Sequence, residues 1–462
     1  MLEDQKIEYD QDNSIGWGLR SQMKSGIRIA VIGGGSSYTP ELISGLLDVD
    51  DLAIEQVTLV DIPEGRDKME IIRAFCQRLI DHSNKKFILQ ATCNRHQALA
   101  DADFVLSQFR VGGLNARARD ESIPLKYGVI GQETVGAGGF ASALRTIPVA
   151  LELARELEEL NPAAWLINFT NPSGMITEAL LRYQGIRTIG LCNVPITIER
   201  TIAEALHVSP DVISIDFLGL NHLSFARHVY VQGKDITPLV LEFLKNMSQE
   251  AVKNSVANIP KETWAPYLLD AVPMIPNPYL QYYWNTDVML RKQLADIENG
   301  KGTRAIQVMA IEAELFKQYQ NPQQVTLPEL LMQRGGAYYS TVAVMLMESL
   351  ALNKRREMVV NVKNDQALDV LPADSVVEVP AVIDGRGARA ITMEPVPLEV
   401  KGLIQQVKAY EQLTIEAAVE GHRGKALAAL LTNPLVPSSE IAHKILDDIL
   451  RENAAYLPQF AS

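Results

Sequence analysis

The chain has 462 residues, 47% of them hydrophobic and 21% charged, with a formal net charge of −13. That length exceeds one ordinary hydrophobic core and points to about two domains, while the acidic balance excludes a duplex nucleic-acid binder, which needs a basic face to displace phosphate counterions. Three cysteines at unrelated spacings, Cys76, Cys93 and Cys192, form no disulfide framework and read as reduced thiols.

Residues 1–25 carry acids where a signal peptide needs a basic start and an apolar core, so the expectation is a loose extension on a cytoplasmic protein. From Ile27 the run IRIAVI is continuously apolar and ends in glycines, as in a strand buried on both faces of a parallel sheet. TPELISGLLDV follows with Leu42, Ile43, Leu46 and Leu47 at helical spacing, and then the strand-like QVTLVDI, which makes one βαβ unit. KFILQAT, ADFVLSQF, AWLINFT and TIGLCNV read as further strands, most of them separated by helical stretches such as IPVALELARELEEL. The fold class is therefore α/β, a doubly wound sheet over residues 26–195. Beyond Val194-Pro195 the pattern changes to helices interrupted by a few alternating strands, SIDFLGLNHLSFARHVYV and SVVEVPAVI among them, and predicts an α+β domain over residues 196–462. AVPMIPNPY reads as a structured loop, since aromatic residues follow it at once. Ser340 to Leu352 is the most apolar stretch, but it contains Glu348 and falls short of the roughly 20 apolar residues a membrane span needs. Ligands of open α/β sheets bind at the carboxyl ends of the strands, so the second domain is expected to close over that edge.

Gly33-Gly34-Gly35-Ser36-Ser37-Tyr38 gives GxG after a strand, with Tyr38 where a third glycine usually stands. The match is weak alone. The buried strand before it, the helix N-terminus after it and Asp61 at the end of the second strand, where a ribose hydroxyl would lie, turn it into a dinucleotide site, with Ser36 and Ser37 as further phosphate contacts. Cys192 and His222, in GLCNVP and GLNHLSF, each close a predicted strand and could share a divalent ion, although a buried Cys and a hydrogen-bonded His are the commoner outcome for such residues. Asn171 in NFTNP suits a turn. Arg117, Arg119, Asp120 and Glu121 read as a solvated charged helix face, Arg304 as a surface charge, and Tyr279, Tyr282 and Tyr283 as packing aromatics.

Taken together, IGGGSSYTPEL, VDIPEG, FRVGGLNARARDESIPLKYGVIGQET, AWLINFTNPSG, LCNVP, GLNH, PYLQYY, KGTRA, RGGAYYS and LTNPLVPS resemble the NAD-dependent glycosidases of glycoside hydrolase family four along almost the whole chain. The resemblance implies a Rossmann-type domain followed by an α+β domain like the C-terminal domain of lactate and malate dehydrogenases. It implies NAD held by Gly33, Gly35, Ser36, Ser37 and Asp61, and a divalent ion, typically Mn2+, held by Cys192 and His222. Tyr279 is then the base, Glu133 in GQET a neighbour that raises its basicity, and Arg117, Asn171 and Arg304 the substrate contacts. Members acting on α-glycosides resemble Cys-Asp where this chain has Cys192-Asn193, and Asn193 is no ordinary general acid, so the expectation is a 6-phospho-β-glucoside substrate, such as a 6-phosphorylated disaccharide. The family route implies hydride removal at C3, loss of the C2 proton, elimination of the aglycone, water addition and re-reduction, an exception to two-carboxylate glycosidases. A homodimer or homotetramer is implied, with neither nucleic acid nor membrane as partner. Two rivals remain at this stage: an NAD-dependent hydroxyacid dehydrogenase, which would want a His–carboxylate pair, and a non-catalytic NAD or sugar-phosphate sensor.

Overall fold

The computed structural model describes residues 26–247, 263–335 and 338–461. The extension expected over residues 1–25 lies outside the described residues. The six strands expected in the first half form: β1 (Ile27–Ile32), β2 (Ile54–Val60), β3 (Ile88–Thr92), β4 (Phe104–Ser107), β5 (Trp165–Asn168) and β6 (Arg187–Gly190). All six run parallel in the order β3-β2-β1-β4-β5-β6. This is the doubly wound arrangement, and it opens a crevice at the strands' carboxyl ends where the order reverses between β1 and β4. Ile29, Ala30, Val31, Val57 and Leu59 are buried, as are all residues of β4 and β5, which explains their unbroken apolar runs.

In the second half β7 (Ile213–Leu220) and β8 (Leu223–Val231) form an antiparallel hairpin that turns at Asn221-His222. The short β9 (Lys234–Asp235) and β10 (Ile275–Pro276) both pair with β8, so the Pro-rich segment is ordered as expected. The remaining strands, β11 (Arg356–Lys363), β12 (Val376–Asp384) and β13 (Gly387–Ala390), do not stay with that hairpin. They continue the first sheet beyond β6 to nine strands, β11 meeting β6 at Asn361 opposite Gly190. A six-stranded parallel sheet would leave β6 with an unpaired edge, and β11 covers it. The division near residue 195 is thus sharper in sequence than in space, and one contiguous apolar core includes residues from both halves.

The helix Tyr339–Leu352 is the apolar stretch noted above. It packs on the helix Thr39–Asp48, where a Cβ on Gly45 would come within 2.5 Å of Ser340 Cβ and where the Ser340 hydroxyl donates to Glu41 at 2.6 Å. Among the described residues no helix is long and apolar enough to cross a membrane.

The charged run in the helix Gly113–Leu125 differs from its expected solvated face, because Arg117, Asp120 and Glu121 are buried. Asp120 accepts two hydrogen bonds of 2.7 Å from the guanidinium of Arg145, on the long helix Gly136–Leu160, and both side chains are sealed from solvent. Burying charges costs free energy unless they pair, and the fork geometry of arginine supplies that pairing. Asp120→Ala leaves the Arg145 charge unpaired in the interior and is expected to destabilise the fold by about 3–5 kcal/mol, read as a lower urea midpoint than that of the wild type. An unchanged midpoint would show that this pair does not hold the two helices.

Candidate active site

The cavity at the carboxyl ends of the strands measures about 1970 Å³ and is bounded on one side by the glycine loop and on the other by residues of the second half. Gly33 has φ +86°, and a Cβ there would lie 2.9 Å from Phe109 Cα, so only glycine fits this first turn. The Gly35 amide donates to Asp61 Oδ2 at 2.8 Å, and a Cβ on Gly35 would come within 2.7 Å of the same oxygen. The other oxygen of Asp61 accepts from the Ile62 amide at 2.9 Å. Gly33, Gly35, Ser36 and Asp61 all line the cavity. Ser37 does not: it is fully buried and donates its hydroxyl to Glu312 at 3.1 Å. The helix Arg304–Gln320 lies against the loop there, and Tyr319 on that helix also donates to the Ser37 carbonyl.

On the same cavity lining the predicted base Tyr279 lies against His222, and Cys192 shares the buried cluster of Tyr279. Cys192 follows β6 by two residues, and Asn193 stands at the start of the helix Val194–Leu206. His222 occupies the β7–β8 turn with φ +65° and lines the cavity. Its Nδ1 lies 2.9 Å from Thr134 Oγ1, which leaves Nε2 as the nitrogen suited to a cation. Burial pushes the imidazole pKa down to about 4 against the opposing pull of Glu133, so the ring is neutral, as a ligand must be. The adjacent Asn221 is hydrogen-bonded to the Cys192 thiol, whose pKa burial and Glu378 push up in the absence of a cation. Among the described residues no three His, Cys, Asp or Glu side chains gather at a metal-binding spacing. A cation held by Cys192 and His222 would keep coordination positions for oxygens of a bound molecule.

The Tyr279 ring stacks on His222 with centroids 4.0 Å apart and planes 3° from parallel. Its backbone amide donates to Asn277 Oδ1 at 3.0 Å, which sets the turn Pro278–Leu280. Burial pushes the phenol pKa well above 10, with Glu133, Tyr282 and Cys192 acting in the same direction. Tyr282 is also buried and lies in the same apolar cluster as Cys192 and Tyr279, while Tyr283 is half-buried at its margin. Glu133 pairs with Arg110 at 2.6 Å and with Arg117 at 3.1 Å. Burial alone would raise its pKa, but the two guanidinium groups, with Arg334 behind them, bring it down to about 2.

Arg117 is more committed than a free substrate contact would be, since its Nε also donates to Glu121 at 2.7 Å. The other Glu121 oxygen accepts from the Ala305 amide at 2.7 Å and so ties this cluster to the first turn of the helix Arg304–Gln320. Arg304 itself stands outside the cavity lining and donates to the carbonyls of Gln333 and Arg334. Asn171 lines the cavity and is hydrogen-bonded to Tyr339. Sequence reasoning assigned no role to Arg110, Thr134, Arg334 or Tyr339, all of which line the cavity. Their one signal was membership of the segments FRVGG, GQET and RGGAYYS.

Two family descriptions fit this chain in succession: Family 4 glycosyl hydrolase over residues 28–208, and Family 4 glycosyl hydrolase C-terminal domain over residues 217–436. The chain belongs to this family. It is 46% identical over 440 residues to a probable 6-phospho-beta-glucosidase of Bacillus subtilis, covering 95% of this chain and 99% of that one. The structure is similar to that of the 6-phospho-beta glucosidase from Thermotoga maritima with manganese, NAD+ and glucose-6-phosphate, with a TM-score of 0.84, 39% identity and coverage of 93% and 99% of the two chains. A lactate dehydrogenase from a deep-sea metagenome library shares the fold alone, with a TM-score of 0.50 and 13% identity over 86% of this chain and all of that one. The expected fold class and family both stand.

The Glu133 pairing has a pH signature. Its folded pKa of about 2 lies below the usual 4.5, so the stabilisation is complete above 4.5 and is lost as pH falls toward 2. Glu133→Gln is expected to lower the thermal midpoint at pH 7 by an amount corresponding to about 3 kcal/mol, with the gap to wild type narrowing as pH drops through 4.5. A gap that stays constant from pH 7 to pH 3.5 would mean that the charge of Glu133 is not what the arginines need.

Proposed function

We propose that this chain hydrolyses 6-phospho-β-glucosides, such as cellobiose 6-phosphate, to glucose 6-phosphate and the released aglycone, using NAD and a divalent cation such as Mn2+. The observation that carries the reading is the stack of Tyr279 on His222, with Cys192 in the same buried cluster as Tyr279, on a cavity that Gly33 and Gly35 also line. The residues suit both groups. Gly33 and Gly35 let the loop turn tightly against Phe109 and Asp61 at the cavity wall, and Asp61 lies beside it in the position expected to meet a ribose. A neutral imidazole and a thiol are a suitable donor set for a borderline divalent ion. When bound, the dinucleotide supplies reversible hydride transfer at C3 and the cation polarises the oxygens at C2 and C3.

The protein's own contribution is then to bind, orient and move one proton. Tyr279 takes the C2 proton through its phenolic oxygen. In the apolar surroundings described above the phenol holds its proton, so it acts as a base only with positive charge beside it, and the Cys192–His222 pair is where that charge would sit. Glu133 neutralises Arg110 and Arg117 and adds negative potential at Tyr279, which favours proton uptake by its phenolate. Asn193, lining the cavity next to Cys192, lacks an acidic proton and supports assignment to β-glycosides, whose leaving group would depart without help from that position. Asn171 and Arg334 line the cavity as polar contacts for the sugar or its phosphate, and Arg334 serves that role better than Arg304, which lies outside the lining. We extend the reading to a cytoplasmic enzyme acting as a homodimer or homotetramer, on the resemblance to the family.

The hydroxyacid dehydrogenase reading is weakened because the Nδ1 partner of His222 is the hydroxyl of Thr134 rather than a carboxylate. A sensor would have no use for a buried phenol stacked on that histidine.

The test is release of p-nitrophenol from its 6-phospho-β-glucoside with and without NAD+ and Mn2+. Activity is expected only with both, and without accumulation of NADH, because the hydride returns within the turnover. Steady NADH accumulation in proportion to product would favour the dehydrogenase. Tyr279→Phe keeps the ring against His222 and is expected to lower turnover by about 10² to 10⁴ while leaving NAD+ binding intact. Deuterium from D₂O should enter C2 of the wild-type product, and that exchange should slow in parallel in the variant. Near-normal exchange in Tyr279→Phe would move the base to Tyr282.

A further inference from the structure

Behind the Cys192, His222 and Tyr279 cluster stands a carboxylate that no step above uses. Glu378 lies in the middle of β12, 1% exposed, and reaches the site from the part of the sheet contributed by the second half. Its Oε2 accepts from Asn221 Nδ2 at 2.9 Å and from Asn361 Nδ2 at 3.4 Å. Its Oε1 accepts from the Ser224 hydroxyl at 3.0 Å. Each bond leads to one member of the cluster. Asn221 is hydrogen-bonded to the Cys192 thiol and is the chain neighbour of His222. Ser224 Oγ accepts from Asn277 Nδ2 at 3.0 Å, and Asn277 Oδ1 in turn accepts from the Tyr279 amide at 3.0 Å. Asn361 is the residue through which β11 joins β6, two residues before Cys192.

We propose that Glu378 is a positioning residue: through Asn221 it aims the Cys192 and His222 donors, and through Ser224 and Asn277 it sets the turn that lays Tyr279 on His222. The physical case is convergence. Cys192, His222 and Tyr279 come from three separate loops, two of them ending at strand edges, and loops alone hold side chains less precisely than a sheet does. A fully buried carboxylate on a strand paired on both sides, accepting from all three approaches, fixes them to one rigid element. Outer partners of this kind typically change metal affinity or activity by about 10- to 100-fold when removed. The proposal rests on the metal-and-base reading above.

The test titrates the full-length, NAD-loaded protein with Co²⁺ and reads the thiolate-to-cobalt absorption band, with C2 hydrogen exchange of glucose 6-phosphate followed by NMR in the Mn²⁺-loaded protein. Wild type should show the band and Cys192→Ser should lose it; no band in wild type would overturn the metal reading itself. With that established, Glu378→Ala should weaken Co²⁺ binding by about 10- to 100-fold and slow exchange, and Glu378→Gln, which keeps an acceptor for Asn221, should restore most of the affinity. Should Glu378→Ala not fold, Asn221→Ala and Ser224→Ala separate the two arms. Asn221→Ala should weaken Co²⁺ binding, and Ser224→Ala should slow exchange with Co²⁺ affinity retained. Wild-type Co²⁺ affinity and exchange in folded variants, even with a lowered thermal midpoint, would overturn the proposal and leave Glu378 a structural residue.

Discussion

The site is organised by the need to keep a buried carboxylate, Glu133, charged. It is held between Arg110 and Arg117 in a pocket where burial alone would protonate it. Once charged, it acts on everything near it, opposing the loss of the His222 proton and resisting the ionisation of Tyr279. Burial nevertheless prevails at His222, and the imidazole stays neutral. The outcome is a neutral ring and a protonated phenol stacked face to face; in the function proposed above the pair serves as ligand and base once positive charge arrives. Arg117 also connects this charge cluster through Glu121 to the helix Arg304–Gln320, and that helix touches the glycine loop through Glu312 and Ser37. The two ends of the cavity are therefore mechanically joined by one helix from the second half.

The parallel sheet was legible because its strands are buried on both faces: IRIAVI, FVLS and WLIN have no polar alternation to mislead, and glycines end the first of them. The return of β11 to β13 to that sheet was not legible. β12 reads as an apolar strand, but nothing in local sequence says that its neighbour's partner is β6, some 170 residues earlier by the Asn361–Gly190 pairing. Pairing at such separation is decided by the unfilled edge of β6 and not by propensity.

For the site, local context alone pointed to the glycine loop and Asp61, whereas Cys192, His222 and Tyr279 had no stronger reading than core residues until the family resemblance joined them. The physical reason is that their relation is purely tertiary. Cys192 and His222 end different strands, and Tyr279 lies in a short turn far along the chain. Ser37 occupies a position in the loop that sequence alone would give to a phosphate, and in the fold its hydroxyl is engaged by Glu312 on the helix Arg304–Gln320. Arg117 and Asp120 were read as solvated because charge is usually outside, and only the partners Glu121, Glu133 and Arg145 make their burial tolerable.

Packing at the β6 edge ties the second half to the first. Gly190 accepts no side chain, since a Cβ there would lie 2.2 Å from Thr177 Oγ1 and 2.8 Å from Asn361 Cβ. The close approach lets β11 seat against β6 immediately before Cys192. Thr177, from the first half, bars a larger residue at position 190 by itself, and Asn361 adds a second close contact from the other half. The sheet is continued at the point where the thiol leaves it, so the strand that covers the β6 edge is also the route by which the second half reaches the site.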